Sequence, residues 1–431
     1  MSHAPKTIIE YEIFDSKEAS RNTIKGSTYQ MNGRLQIMIL DKEGKQRLLH
    51  TQPFGSYVSN FGKILNFALT GATNVGLKNT AGTASARNIT KAAVSSAANE
   101  NTVGIFIGDI RNSSGFNTFA QEPGISTTIQ LNDFQLYRKI PASNSGVAPT
   151  PSDMLYDGTA ITAPSAGVLK VTATFTCSRS TGIRVSEVGL IGKDPYNGAK
   201  FNLLARDIVT NGAESNVFVE NGETLQIDYI FTITDSSGFT TNYLKMVQSL
   251  LSPPKASAGA VTPKTMGGST SGVYFASASN ASNNCRVIAP ADNATYGILL
   301  GGTTNDVPRD DIPMPVITDY KLNSQFTNNA VLDHGLVTAI SLTAENGETK
   351  FGIYRDFKNV GTNNLYLREV GLVCKHKETN YHYLLNRAKI AGNKWIVLEP
   401  SKTIRVKIYY VYEIGDILNL GANPTYVKPT S

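Results

Sequence analysis

Apolar and polar residues alternate along much of this chain with a period of two. Leu35-Gln36-Ile37-Met38-Ile39, Val168–Cys177, Thr224–Tyr229 and Ile404–Tyr412 set apolar residues at alternate positions, the pattern of half-buried strands. Asp41-Lys42-Glu43-Gly44-Lys45 marks a turn after the first of them. Two segments follow a different period. Val58, Phe61, Ile64, Leu65 and Ala68 recur at helical spacing. They predict a helix over about 56–69, capped by Ser56, with one apolar stripe packed on a sheet. Tyr243–Leu251 predicts a second helix over about 243–251. Residues 1–33 are polar with scattered apolar positions and read as an N-terminal arm, and 416–431 read as a C-terminal tail.

The strand pattern repeats. Glu187-Val188-Gly189-Leu190 returns as Glu369-Val370-Gly371-Leu372, Leu203-Leu204-Ala205-Arg206 as Leu384-Leu385-Asn386-Arg387, and Thr224–Tyr229 as Thr403–Ile408. The offsets are 182, 181 and 179 residues (187 to 369, 203 to 384, 224 to 403). Gly104-Ile105-Phe106-Ile107-Gly108 and Gly297-Ile298-Leu299-Leu300-Gly301 form a fourth shared block. The fold class expected is mainly β: two tandem antiparallel β-sandwich units from an internal duplication, over 34–235 and 236–415. Each carries one packed helix and long loops. The strand at Leu225 precedes the second helix as the strand at Leu35 precedes the first, so the units are expected to share a strand at their junction. The polar stretches 71–101 and 252–293 are expected to be arms that order against neighbours, with simple surface disorder the alternative.

Within the repeated blocks Val188 and Leu190 point to one face, Glu187 and Gly189 to the other. Gly189 and Gly371 would admit a close neighbour, backbone or aromatic. Glu187 and Glu369 are the recurrent carboxylates, and Arg206 and Arg387 the recurrent guanidinium groups. Two readings fit: catalytic carboxylates, or Glu187–Arg206 and Glu369–Arg387 pairs that fix adjacent strands. General acid–base chemistry needs a second group with a defined role, and no second recurrent carboxylate lies nearby, which favours the structural pairs.

Composition narrows the function. Charged residues are 17% of 431, below the roughly 25% of soluble domains, which suits a protein packed against many neighbours or simply one with long polar loops. The net charge of +6 is matched by the stretch 361–412, with nine basic and three acidic residues. That stretch is the solvated face of a strand pair or a surface for an acidic protein partner. It lacks the interleaved aromatics of a nucleic-acid groove. Three dispersed cysteines give no disulfide framework and suit a reducing cytoplasm. The first residues do not form a signal peptide and no apolar run is long enough to span a bilayer, so no membrane insertion is expected.

No GxxxxGK[ST], GxSxG, HExxH or CxxC occurs. Cys374, His376 and His382 could converge on zinc, but their counterparts in the first unit are not ligands and a fourth ligand is lacking. Asp109 and Arg309-Asp310-Asp311 read as turn residues. No catalytic, metal or cofactor-binding residue is assigned, and no cofactor is expected.

Taken together, the Phe54-Gly55-Ser56-Tyr57-Val58-Ser59-Asn60-Phe61 helix entry, Gly104–Gly108, Glu187–Leu190, Leu203–Arg206 and the Thr/Tyr-rich last strand resemble β-sandwich structural proteins of tailed-bacteriophage virions. The likeness covers about 34–235 and, more loosely, 270–415. The second copy departs from it at Asn386 and around Lys375–Glu378. The resemblance implies a non-enzymatic virion component, assembled in the host cytoplasm as a symmetric homo-oligomer. Its partners would be other copies of itself and neighbouring virion proteins, in a tail, neck or baseplate ring rather than as capsid decoration. The alternative is a glycan- or host-receptor-binding fibre or adhesin using Tyr196, Tyr381 and Trp395. A cell-envelope hydrolase would need a carboxylate pair in a groove.

Overall fold

The computed structural model describes residues 6–14, 22–53, 57–72, 74–87, 92–94, 103–109, 135–136, 140, 142–143, 154–194, 200–209, 216–252, 261–275, 285–305, 313–390 and 395–413. The first strands are β1 (Lys6–Phe14), β2 (Asn22–Gln30), β3 (Asn32–Leu40) and β4 (Gln46–Pro53), followed by helix α1 (Ser59–Thr70). Next come β5 (Asn74–Lys78), β6 (Ala84–Arg87), β7 (Gly104–Gly108), β8 (Ala142–Ser143), β9 (Met154–Ser165) and β10 (Val168–Cys177). Then follow β11 (Ile183–Val185), β12 (Glu187–Asp194), β13 (Lys200–Ile208), β14 (Val217–Val219), β15 (Thr224–Thr232) and helix α2 (Thr241–Leu251). The last strands are β16 (Cys285–Arg286), β17 (Gly297–Thr303), β18 (Leu332–His334), β19 (Thr338–Glu345) and β20 (Glu348–Asn359), then β21 (Leu365–His376), β22 (His382–Lys389), β23 (Ile396–Leu398) and β24 (Thr403–Glu413). The chain is mainly β, and among the described residues the strand pairs are antiparallel apart from the short parallel pair β8–β9.

Two major sheets share one plan. The first runs β4-β3-β15-β10-β9-β8, and the second runs β2-β1-β24-β20 with β18 and β19 both on β20. Two minor sheets also match: β13-β12-β7, and β22 and β17 on either side of β21. Each minor sheet packs on its own major sheet. Ile105 N donates to Thr159 Oγ1 across the first unit at 3.1 Å, and Arg355 reaches Ile298 O across the second at 3.0 Å. Even the irregularities coincide, since the β12–β13 register slips between Leu190 and Ile191 and the β21–β22 register between Leu372 and Val373.

The N-terminal arm expected over 1–33 is not what residues 6–14 and 22–30 form. β1 lies inside the second major sheet, between β24 and β2, with Ile9 opposite Ile408 and Tyr11 opposite Val406. Thr7, Ile9 and Tyr11 are buried, while Glu10 and Glu12 on the intervening positions make the segment look polar in sequence. The second unit is therefore built from both ends of the chain, and the first is inserted within it. The expected tandem order and shared strand are corrected with it: among the described residues β15 pairs with β3 and β10 and with no strand of the second unit, and β1 takes the place in the second sheet that β3 takes in the first.

The helices join the two units. α1 packs against β13 of its own unit and β20 of the other, and α2 packs against β22 of its own unit and β10 of the other. Ser59–Leu69 are all buried, because α1 has a sheet on each side and not the single apolar stripe the spacing suggested. Its N-cap is Val58, and Ser56 lies outside the described residues. Asn60 and Asn242 hold matching hairpins. Asn60 Nδ2 donates to Lys78 O (2.8 Å) and Oδ1 accepts from Lys78 N (3.1 Å). Asn242 does the same to Lys264, at 2.9 Å both ways.

The rings of Tyr57, Phe61, Phe231 and Tyr412 meet between the sheets, as do those of Phe239, Tyr243 and Tyr410. Tyr243 and Tyr412 share a hydrogen bond of 2.9 Å. One continuous apolar core results.

Parts of the expected arms are at home in the same chain. β5 and β6 form a hairpin, and Ala92 N and Val94 N donate to Leu250 O and Leu251 O at the end of α2. Val287 N donates to Leu69 O at the end of α1. Residues 414–431 lie outside the described residues.

Candidate functional site

Glu187 and Arg206 come together because β12 and β13 pair with Gly189 opposite Arg206. Arg206 Nε donates to Glu187 Oε2 at 2.8 Å, and both side chains are fully buried. The second unit repeats this with Gly371 opposite Arg387, where Arg387 Nε donates to Glu369 Oε2 at 2.8 Å. Here the pair is extended: Arg387 Nη1 reaches Asp319 Oδ2 at 2.7 Å, Nη2 reaches Pro313 O at 3.1 Å, and Glu369 Oε1 accepts from Ser324 N at 2.9 Å. Burial works against the Arg387 charge, but Glu369 and Asp319 outweigh it and hold the guanidinium above its ordinary range. The Glu187 and Glu369 carboxylates are buried inside their strand pairs and held by these arginines.

The recurrent glycines admit a close neighbour, as expected, but not of the expected kind. A Cβ on Gly189 would sit 2.4 Å from Leu136 Cδ1, and one on Gly371 would sit 2.8 Å from Leu322 Cδ2. The close neighbour is a leucine in both units, where an aromatic ring or a backbone had been anticipated.

A second internal site was not foreseen. Arg355 is fully buried and donates to five backbone carbonyls: Gly335 (2.7 Å), Tyr296 (3.3 Å), Ile298 (3.0 Å), Pro290 (3.5 Å) and Asn293 (2.5 Å). Burial lowers its pKa to about 10. Ala173 takes its place in the first unit, where Tyr156 Oη reaches Val103 O at 3.3 Å and Thr159 at 2.6 Å. Val103 and Tyr296 each precede the glycine that opens β7 or β17. The same strand entry is held by a tyrosine in one unit and an arginine in the other. Only the block alignment around Gly104 and Gly297 hinted at it.

The remaining candidates disperse. His376 Nε2 lies 3.0 Å from Tyr274 O and its Nδ1 accepts from Thr379, while His382 stacks on Tyr296. Among the described residues no group of three or more His, Cys, Asp or Glu is placed to hold a metal ion. Ser186 Oγ donates to Asp109 Oδ1 at 3.2 Å. Arg309, Asp310, Asp311 and Tyr196 lie outside the described residues. Tyr381 lies beside His376 and Trp395 beside Arg368, about 26 Å apart along β21 at 3.3 Å per residue. Trp395 packs edge-on to Tyr366 and beneath Arg368.

The basic stretch 361–412 is partly neutralised within the chain. Arg387 is paired as described, Arg405 makes a two-pronged bond to Asp356 (2.7 and 2.8 Å), and Lys407 pairs with Glu12 of β1. The local surplus read from sequence therefore overstates the charge offered to a partner, because carboxylates from β1 and β20 cross to β24. Among the described residues no helix is long and apolar enough to cross a membrane.

No protein-family model, curated protein or solved structure matches this chain.

Proposed function

We propose that this chain is a non-enzymatic building block of a tailed-bacteriophage virion, forming a symmetric homo-oligomer that bridges neighbouring virion proteins. A tail, neck or baseplate ring is favoured over capsid decoration. The observation that carries the reading is where the recurrent residues go. Glu187, Arg206, Glu369, Arg387, Asn60, Asn242 and the paired glycines are all committed to internal packing. What recurs is construction, as in two copies of a unit that arose by duplication and now act as one rigid body. The motif resemblance supplies the virion setting, and the host cytoplasm as the place of assembly.

Light scattering on the purified protein and electron cryo-microscopy of the particle test this. A ring or other closed homo-oligomer in the virion is expected. A protein that stays monomeric and is dispensable for particle assembly overturns it. The glycan- or receptor-binding alternative has one observation in its favour, an open 420 Å³ hollow beside Tyr409 lined also by Ser341, Thr343, Asn346 and Lys350. Binding on a glycan array, lost in Asn346→Ala, would favour that reading over the architectural one.

A further inference from the structure

Two of the three cysteines meet. Cys285 pairs in register with His376, so Cys374, two residues back along β21, is its diagonal neighbour on the same face. Both side chains are wholly buried, and Cys374 stands near enough to raise the Cys285 thiol pKa. Burial pushes the Cys285 thiol well above its ordinary range, and Cys374 adds to the effect. The Cys285 sulfur also lies 3.7 Å from Met246 Sδ of α2.

The first unit shows how close these two positions come. Ala93 pairs with Lys193 as Arg286 pairs with Lys375, so Ala92 and Gly192 hold the places of Cys285 and Cys374. A Cβ on Gly192 would fall 2.7 Å from the Ala92 Cβ. Disulfides span Cβ atoms about 3.5–4.5 Å apart. A small outward adjustment from the first unit's spacing, with cysteine at both places, gives that geometry. The pair therefore differs between the units in both members at once, from Ala–Gly to Cys–Cys.

We infer that Cys285 and Cys374 form a disulfide site, reduced as the chain folds and closed by exchange with a small-molecule disulfide such as oxidised glutathione. One thiol loses its proton and attacks the glutathione disulfide, forming a mixed disulfide and releasing one glutathione thiolate. The second cysteine, deprotonated in turn, attacks the protein sulfur and expels the other glutathione. The two electrons lost by the protein thiols reduce the oxidant to two thiols. The bond ties β16, which ends the segment 253–284, to the central strand of the second minor sheet. Because both sulfurs are buried, exchange needs the two-residue β16 to open, so closure is slow in the folded protein and faster under mild denaturant.

The test uses the full-length reduced protein incubated with oxidised glutathione in low urea, followed by intact mass, peptide mapping and thiol alkylation after denaturation. The expected product is lighter by two hydrogen atoms, carries a Cys285–Cys374 linked peptide and keeps one alkylatable thiol, at Cys177. Dithiothreitol reverses it, and the oxidised form melts several degrees higher. Cys177→Ser keeps the link, whereas Cys285→Ser and Cys374→Ser abolish it. If a variant does not fold, the wild-type peptide map still decides. A link through Cys177, glutathione adducts without an internal link, or three free thiols where a fully unfolded control oxidises would each overturn the assignment.

Discussion

Arg206→Met tests whether the recurrent Glu–Arg pairs are structural. The substitution leaves the fully buried Glu187 carboxylate without the guanidinium that now donates to it at 2.8 Å. Breaking one side of a buried ion pair costs about 3–5 kcal/mol, whereas replacing both sides by apolar groups of similar volume is often near neutral. Glu187→Leu combined with Arg206→Met should therefore recover to within about 1 kcal/mol of the wild type, a coupling of at least about 2 kcal/mol. The core is continuous through both units, so the chain should unfold as one body. At about 2.1 cal/mol/K per residue, 431 residues give an unfolding entropy of about 0.9 kcal/mol/K, and the single variant should melt about 3–6 °C lower. Urea unfolding followed by circular dichroism and by the single tryptophan, Trp395, measures the free energies, and thermal unfolding measures the shift in melting temperature. Trp395 lies in the second unit and Arg206 in the first, so a shift in the Trp395 transition also reports their cooperativity. The reasoning fails if the single variant loses less than about 1 kcal/mol, or if the double variant is no more stable than the single.

Three other outcomes follow from named contacts. Burial and the Arg355 charge lower the His334 pKa to about 4 from 6.5, so the unfolded chain takes up a proton that the folded chain refuses. Stability is full above pH 6.5 and should fall by about 3 kcal/mol as pH drops to 4, at about 1.4 kcal/mol per unit; a His334→Gln variant that keeps the wild-type slope in urea titrations at stepped pH would sink this. Asn60→Ala removes bonds to Lys78 N, Lys78 O and Leu203 O and should cost about 1–3 kcal/mol by urea unfolding, with a smaller loss for Asn242→Ala, for which two Lys264 bonds are at stake among the described residues. Deleting residues 1–30 strips β1 from β24 and should give aggregated or unfolded protein by size-exclusion chromatography, whereas a monomeric, fully stable product would restore the reading of this region as an arm.

The strands were legible wherever one face is apolar and the other polar. β3, β10, β15 and β24 announce themselves by alternation, and β7 and β17 by short apolar runs between glycines. β1 was missed because Glu10 and Glu12 on the alternate positions dilute the signal of Thr7, Ile9 and Tyr11, although Glu12 is itself buried against Lys407. The Glu187–Arg206 and Glu369–Arg387 pairs were visible because both members recur. Arg355 was not, since its counterpart is Ala173 and its acceptors are backbone carbonyls, which carry no sequence signature. The helices were legible as helices but not as bridges. Periodicity gives the apolar face of α1, yet its burial on every side depends on β20, contributed by a segment far along the chain. The excess of basic residues over 361–412 was read locally, and the pairing of β24 with β1 and β20 supplies Glu12 and Asp356 from outside that window.

The nested order of the units also constrains how the chain is built. In the first unit β4 leads to α1 through a few residues, whereas in the second the equivalent passage from β2 to α2 contains the whole of the first unit. The insertion enters through Met31 alone and leaves through Ile233–Thr240, and Met31, Ile233 and Phe239 are all buried. Such short, packed crossings leave little room for the two units to move against each other. The first unit can pair its strands as a contiguous segment, but β1 has to wait for β24, the last of the described strands. Pairing across that separation is entropically slow, so the β1–β24 ladder should form late and close the molecule. Each unit also lends its helix to the other's major sheet, α1 to β20 and α2 to β10. Neither sandwich covers its core alone, and this reciprocal covering, more than any single contact, holds the two units together.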